Sequence, residues 1–167
     1  MASPLTVNDT SPVISYIPLI AISAIPDPFL GWNPHYSISG FATAPGVVGL
    51  GTSSHITSLN GASLSLQWNG MSVTYLPTPP YVKFSFLIGT GIQLFGNASN
   101  ASYELLLDNV ATQPDSSDPT QSLLASFQNL SFTMHTISLM VDIPITASNA
   151  FVAFEHALVQ YPPPAPK

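Results

Sequence analysis

Apolar and polar side chains alternate with period two along most of the apolar runs of this chain. Val82, Phe84, Phe86 and Ile88 fall on one face, with Lys83, Ser85 and Leu87 on the other. Tyr103, Leu105 and Leu107 alternate with Glu104, Leu106 and Asp108. His135, Ile137, Leu139 and Val141 alternate with Thr136, Ser138 and Met140, and Val152, Phe154, His156 and Leu158 with Ala153, Glu155 and Ala157. A period of two puts successive side chains on opposite faces of a strand, so each run predicts a strand with one buried face. Ser63–Trp68, Ser72–Tyr75 and Ile92–Phe95 read as further short strands. Seventeen prolines and ten glycines break the runs before a long helix could form. The pattern predicts an all-β fold, an antiparallel β-sandwich with at most short helical turns. Gln121–Gln128 is the one helix candidate.

Two segments read as loops: the stiff bend Leu76-Pro77-Thr78-Pro79-Pro80, and the polar stretch Ala111–Thr120 with its two prolines. Asp108-Asn109, at the end of a strand, reads as a turn. Residues 1–160 are expected to form a single domain, and 161–167 a proline-rich tail or the start of a linker in polyproline II. The most apolar stretch, Val13–Leu30, is interrupted by Pro18, Pro26 and Pro28. It falls far short of the ~20 uninterrupted residues a membrane span needs, so no direct membrane insertion is expected. Met1-Ala2-Ser3-Pro4 lacks the basic and apolar regions of a secretory leader, and the chain reads as a mature domain.

Charge narrows the function. Only 6% of residues are charged, against ~25% in ordinary soluble domains. Lys83 and Lys167 are the only basic side chains apart from histidine, and the net charge is −6. Nucleic acid is excluded as a partner, because phosphate neutralisation needs clustered Lys and Arg. With 46% hydrophobic residues the chain has the material for a core, so its solubility rests on Ser, Thr and Asn, or on glycans. Four N-x-S/T sequons make Asn8, Asn97, Asn100 and Asn129 the candidate glycosylation sites. They suggest a secreted or cell-surface protein. No cysteine is present for redox chemistry or metal binding.

The order of short motifs adds a resemblance. TVNDTSPVISY at Thr6–Tyr16 is followed by HITSLNGA at His55–Ala62, GTGIQLFG at Gly89–Gly96 and SYELLLDN at Ser102–Asn109. After these come SLLASFQNLSFTMHTISLMV and the closing FVAFEHALVQY. This order resembles the extracellular domains of uncharacterised basidiomycete secreted and single-pass membrane proteins. Those are similar in turn to the galactose-binding-like jelly roll used by many carbohydrate-binding modules. Two departures stand out: Trp68–Leu87 looks like an inserted hairpin, and Met134 stands where the pattern usually has Gly.

Catalytic constellations are missing from the linear sequence. There is no G-x-S-x-G elbow, and Gly89-Thr90-Gly91 with Gly96 is not a dinucleotide loop. The eight acids include no pair whose spacing marks a glycosidase, and His35, His55, His135 and His156 lack metal-ligand spacing. His135 and His156, on alternating apolar faces, read as hydrogen-bonded sheet residues. No enzyme activity and no cofactor is expected; Asp115-Ser116-Ser117-Asp118 is the nearest candidate for a structural calcium. Aromatic rings are the remaining lead, because they pack against the C–H faces of sugars. Trp32, His35 and Tyr36 cluster in GWNPHY, Trp68-Asn69 precedes a glycine turn, and Tyr75 and Tyr81 flank the proline bend. These seven are the candidate ligand-binding residues, unless Trp32 and Trp68 instead cover the edges of the core. The expected function is a non-catalytic extracellular module that binds neutral polysaccharide or glycan, or associates with a cell wall. The alternative is a structural or adhesive fungal surface ectodomain that binds a protein partner or self-associates.

Overall fold

A computed structural model describes residues 4–19, 26–43, 48–69, 89–118 and 122–160. The expected strands Ser72–Tyr75 and Val82–Ile88, the bend at Leu76–Pro80, the inserted hairpin beyond Asn69 and the tail 161–167 lie outside the described residues.

Among those residues the fold is all-β, in two antiparallel sheets. The larger sheet contains β1 (Leu5–Asn8), β3 (Asn33–Tyr36), β4 (Gly40–Phe41), β5 (Ser53–Thr57), β7 (Gly91–Ser99), β10 (Ser116–Asp118), β11 (Leu123–Phe127) and β13 (Phe151–Gln160). Its order is β10-β11-β7-β13-β5-β3-β4, with β1 also paired to β13. The smaller sheet contains β2 (Ile14–Ile17), β6 (Ser63–Asn69), β8 (Ser102–Leu107), β9 (Val110–Ala111) and β12 (Met134–Asp142), in the order β2-β6-β12-β8-β9. No helix of the described residues is long and apolar enough to cross a membrane.

One core joins the sheets. Leu64 and Leu66 of β6 oppose Leu139 and Ile137 of β12, which oppose Leu105 and Leu107 of β8. Facing them from the larger sheet are Ile92 and Leu94 of β7 and Val152, Phe154, Ala157 and Val159 of β13. Full burial of each large aliphatic or aromatic side chain contributes roughly 1.5–3 kcal/mol, which makes this alternation the main stabilising pattern. Asp108 and Asn109 both adopt positive φ (53° and 65°), the backbone of a two-residue hairpin turn between β8 and β9.

Three expectations change in the folded chain. The helix expected over Gln121–Gln128 does not form in its described part: Leu123–Phe127 is strand β11, paired with β7 on one side and β10 on the other. Local helix propensity yields there to ladder hydrogen bonds and burial of Leu124, Ala125 and Phe127. The polar stretch Ala111–Thr120 is not all loop, since Ser116–Asp118 forms β10. In β13 the pairing with β7 shifts between Phe154 and His156, which leaves Glu155 as a bulge. The bulge inverts the phase of the strand. Val152 and Phe154 point to the core as expected, but His156 and Leu158 turn to the outer face while Ala157 and Val159 take the inner one. The switch coincides with a change of partner, because β5 pairs with Val152–Phe154 and β1 with His156–Val159.

Candidate functional site

The aromatic residues singled out in the sequence do not form an exposed platform. Trp32 is 0% exposed, bridged to Leu19 and tilted against Tyr16 at 5.3 Å. Trp68 is 2% exposed, because it shares the inward phase of Leu64 and Leu66. Its Nε1 donates to the Gly89 carbonyl (3.2 Å). Tyr36 is buried too, and a Cβ at Gly49 would collide with its ring. His35 is half-buried and edge-on to Phe41 at 4.9 Å, with burial lowering its pKa. Asn69 ends β6, its side chain outside the described residues, as are Tyr75 and Tyr81. Trp32 and Trp68 therefore belong to the core, and stacking on a sugar is not open to them.

The fold instead assembles two aspartate–histidine pairs from distant segments. In the first, Asp9 and His55 are buried (1% and 7% exposed) and their side chains meet at 3.0 Å. Asp9 also accepts the Ser53 hydroxyl (2.5 Å), and its amide donates to Glu155 at the bulge (3.0 Å). The Tyr16 ring stacks on His55 (4.3 Å, 16°) and its hydroxyl donates to the Asp9 carbonyl (2.8 Å). Burial, and then the charge of Asp9, raise the Tyr16 phenol pKa so far that it stays a donor. Ser53 bonds to the carboxylate rather than to the imidazole, so no serine here is placed for activation by His55.

The second pair has the outline of a catalytic triad. His135 Nδ1 meets the Asp108 carboxylate at 2.8 Å, and the Ser131 and Thr133 hydroxyls lie 3.4 and 3.5 Å from Nε2. The tighter contact of Nε2, however, is the Ser131 carbonyl at 2.9 Å. A carbonyl can only accept, so Nε2 donates its proton there and has no lone pair to receive one from a hydroxyl. The imidazole is a clamp between the β8–β9 turn and the segment leading into β12. Burial acts to raise the Asp108 carboxyl pKa, but the Thr136 amide, followed by the hydrogen bond and charge of His135, holds it below the ordinary carboxylate value. A depressed pKa contributes stability that is present above the unfolded value and lost as pH falls through the folded one. The Tm is therefore expected to drop as pH falls below about 4, and Asp108→Asn to remove that part of the drop. The change is modest because the Asp108 side chain is 46% exposed. Parallel melting curves of the two proteins across acid pH check it.

Two further features lie on the surface of the sheets. A shallow depression of about 370 Å³ opens between β8–β9 and β10–β11, lined by Tyr103, Glu104, Thr112, Gln113, Pro114 and Ser117 among others. The Tyr103 hydroxyl is committed to the Leu124 carbonyl (2.7 Å), and burial raises its pKa. Among the described residues Glu104 is the only carboxylate in the lining, whereas glycoside hydrolysis by the usual route needs two. Asp115, first of the proposed calcium ligands, accepts the Gln128 amide (2.7 Å) and ties β10 to the end of β11. Among the described residues no three His, Cys, Asp or Glu side chains gather around a point where a metal could bind.

The second feature lies on the outer face of the larger sheet. Asn8, His156, Phe95 and Leu123 occupy one cross-strand row from β1 to β11. The Phe95 and His156 rings stack in parallel, 4.6 Å apart with 5° between planes, each half-buried. Period-two reading places His156 on the core face, so this pair is hidden until the Glu155 bulge is known. The fold and these surfaces define an antiparallel β-sandwich whose described histidines at 55 and 135 are held in structural contacts. Comparison of the chain with protein-family models, curated proteins and solved structures finds no match.

Proposed function

We propose that this chain is a non-catalytic extracellular surface domain, secreted or displayed at a cell surface, that self-associates through an apolar rim beside the end of β2. The observation that carries this reading is a run of large apolar side chains in solvent where β2 leads toward β3. Ile17, Leu19, Phe29 and Leu30 are 61%, 54%, 67% and 60% exposed. Their segments are stitched together by the Leu19–Trp32 bridge and by the bond from the Trp32 amide to the Pro18 carbonyl (3.0 Å). Exposed apolar groups gathered in this way mark interaction sites. β2 is also an edge strand, paired only with β6 among the described residues, and it offers backbone groups to a second copy. The resemblance to basidiomycete secreted proteins suggests a fungal wall or surface as the setting.

Light scattering on a sizing column is expected to show dimer at about 100 µM, consistent with a micromolar Kd. Phe29→Asp combined with Leu30→Asp is expected to shift it to monomer with an unchanged melting curve. A wild-type chain that stays monomeric at about 1 mM sinks the reading. A second reading, binding of neutral glycan, is favoured by the depression beside Glu104, whose Thr112, Gln113 and Ser117 suit sugar hydroxyls. Retention on immobilised glucans or chitin, lost in Gln113→Ala, distinguishes it.

A further inference from the structure

We propose that the depression between β8–β9 and β10–β11 binds the ammonium group of an unacetylated amino sugar. The inference rests on the second reading above, that a sugar occupies this depression, and names the class of sugar. The observation that carries it is where the hydroxyl protons of the lining go. A hydroxyl has one proton to give and two lone pairs with which to accept. The Tyr103 hydroxyl gives its proton to the Leu124 carbonyl (2.7 Å), and Thr112 Oγ1 gives its own to the Val110 carbonyl (2.8 Å). Ser102 Oγ donates to Asp142, whose carboxylate and carbonyl oxygens lie at 3.1 and 3.2 Å. All three oxygens can therefore only accept from a ligand.

Backbone donors along the rim are spent in the same way. The Thr112 amide donates to the Leu105 carbonyl (2.9 Å) and the Asp115 amide to the Ser126 carbonyl (2.9 Å). Pro114, which also lines the depression, has no N–H to offer. Glu104 adds a carboxylate, which when ionised only accepts. No lysine or arginine stands among the described residues, so none of them supplies a cation to this carboxylate. A lining rich in acceptors and poor in donors is matched by a group with the opposite character. An ammonium has three donors and no acceptor. An N-acetyl group has one N–H and brings a carbonyl, which would set an acceptor against acceptors. Gln113 and Ser117 can both donate and accept, which suits the hydroxyls of the same sugar. Leu105 and Leu124, both buried, form an apolar floor for its C–H face.

The test is an NMR titration of the chain with a glucosamine tetramer and, separately, an N-acetylglucosamine tetramer at about pH 5.5, where a primary amine keeps its proton. The glucosamine tetramer is expected to bind about tenfold more tightly, as hydrogen bonds to a charged group allow. Amide shifts are expected to gather at Ser102–Leu105, Thr112, Gln113 and Ser117. One exposed ion pair accounts for a factor of only about two to five, so Glu104→Gln is expected to leave a preference of about threefold. Adding Thr112→Val, which removes one acceptor oxygen, is expected to lower the preference further. Melting curves check that both variants stay folded. Glu155→Gln removes a charge at the β13 bulge and is expected to leave the preference unchanged, which controls for the general attraction of an acidic chain for cations. Spermidine, an amine without a sugar ring, is expected to bind about tenfold more weakly than the glucosamine tetramer. Equal affinity for the two tetramers overturns the proposal and leaves the second reading standing. Absence of binding by either tetramer overturns both. Spermidine binding as tightly as the glucosamine tetramer, or amide shifts gathered away from the depression, also overturns the proposal.

Discussion

Trp32→Ala is expected to lower the unfolding free energy by about 3–5 kcal/mol, the range for deleting a fully buried aromatic side chain. The ring is 0% exposed and fills the space between β2 and the start of β3, against Tyr16. In denaturant melts the loss appears as a lower midpoint with an unchanged slope. Trp32→Phe is the sharper comparison. The indole Nε1 is buried without a hydrogen-bond partner, so phenylalanine removes an unsatisfied donor along with some volume. An unpaired buried donor costs about 1–3 kcal/mol, which offsets part of the cavity left behind. The phenylalanine variant is expected to recover most of the loss seen with alanine. A loss below about 1 kcal/mol for Trp32→Ala, coupled to loss of polysaccharide retention, would return this ring to the surface role its loop suggests in the sequence.

Asp9→Ala is the second large effect, expected at about 3–5 kcal/mol, because two hydrogen-bonded partners lose their acceptor at about 1–3 kcal/mol each. The carboxylate is 1% exposed and holds both His55 and Ser53, which tie the turn after β1 to β5. Without it an imidazole and a hydroxyl are left in the interior with nothing in place of their acceptor. Asp9→Asn keeps the shape and one acceptor oxygen, and its loss is expected to be smaller. A double-mutant cycle between Asp9→Ala and His55→Phe isolates the pair, and a coupling of about 1 kcal/mol or more is expected if the two side chains act as one unit. Additive single losses would mean that Asp9 acts through Ser53 and its backbone bond to Glu155 instead.

Much of the sandwich is legible in the alternation of side chains. β8 and β12 fall where the period-two runs lie, and their inward residues are the ones the alternation selects, while β6 falls where a short strand is expected. The turn at Asp108-Asn109 is legible as well, because these residue types tolerate the left-handed backbone that a tight hairpin needs. β11 is not, because LLASF carries no alternation and becomes a strand only through its neighbours β7 and β10. Nor is the phase of β13 beyond Glu155. A bulge has no reliable local signature, and one inserted residue moves every later side chain to the opposite face.

The candidate site was less legible for the same reason. Trp32 and Trp68 were set in loop-like and strand-end contexts, where exposure and burial read alike. The Asp9–His55 and Asp108–His135 pairs join residues 46 and 27 positions apart, and no spacing along the chain announces them. The Phe95–His156 stack required both the pairing of β7 with β13 and the bulge.

By itself the sequence determined the all-β class, the long strands β6, β7, β8, β12 and β13, the near absence of charge and the positions of the four sequons. These follow from local chemistry, since alternation, breakers and composition act residue by residue. Only the tertiary structure decided which rings are core and which are surface, and which histidines are clamped by carboxylates. Those outcomes depend on register between strands far apart in the chain, where a shift of one residue exchanges the two faces of a sheet.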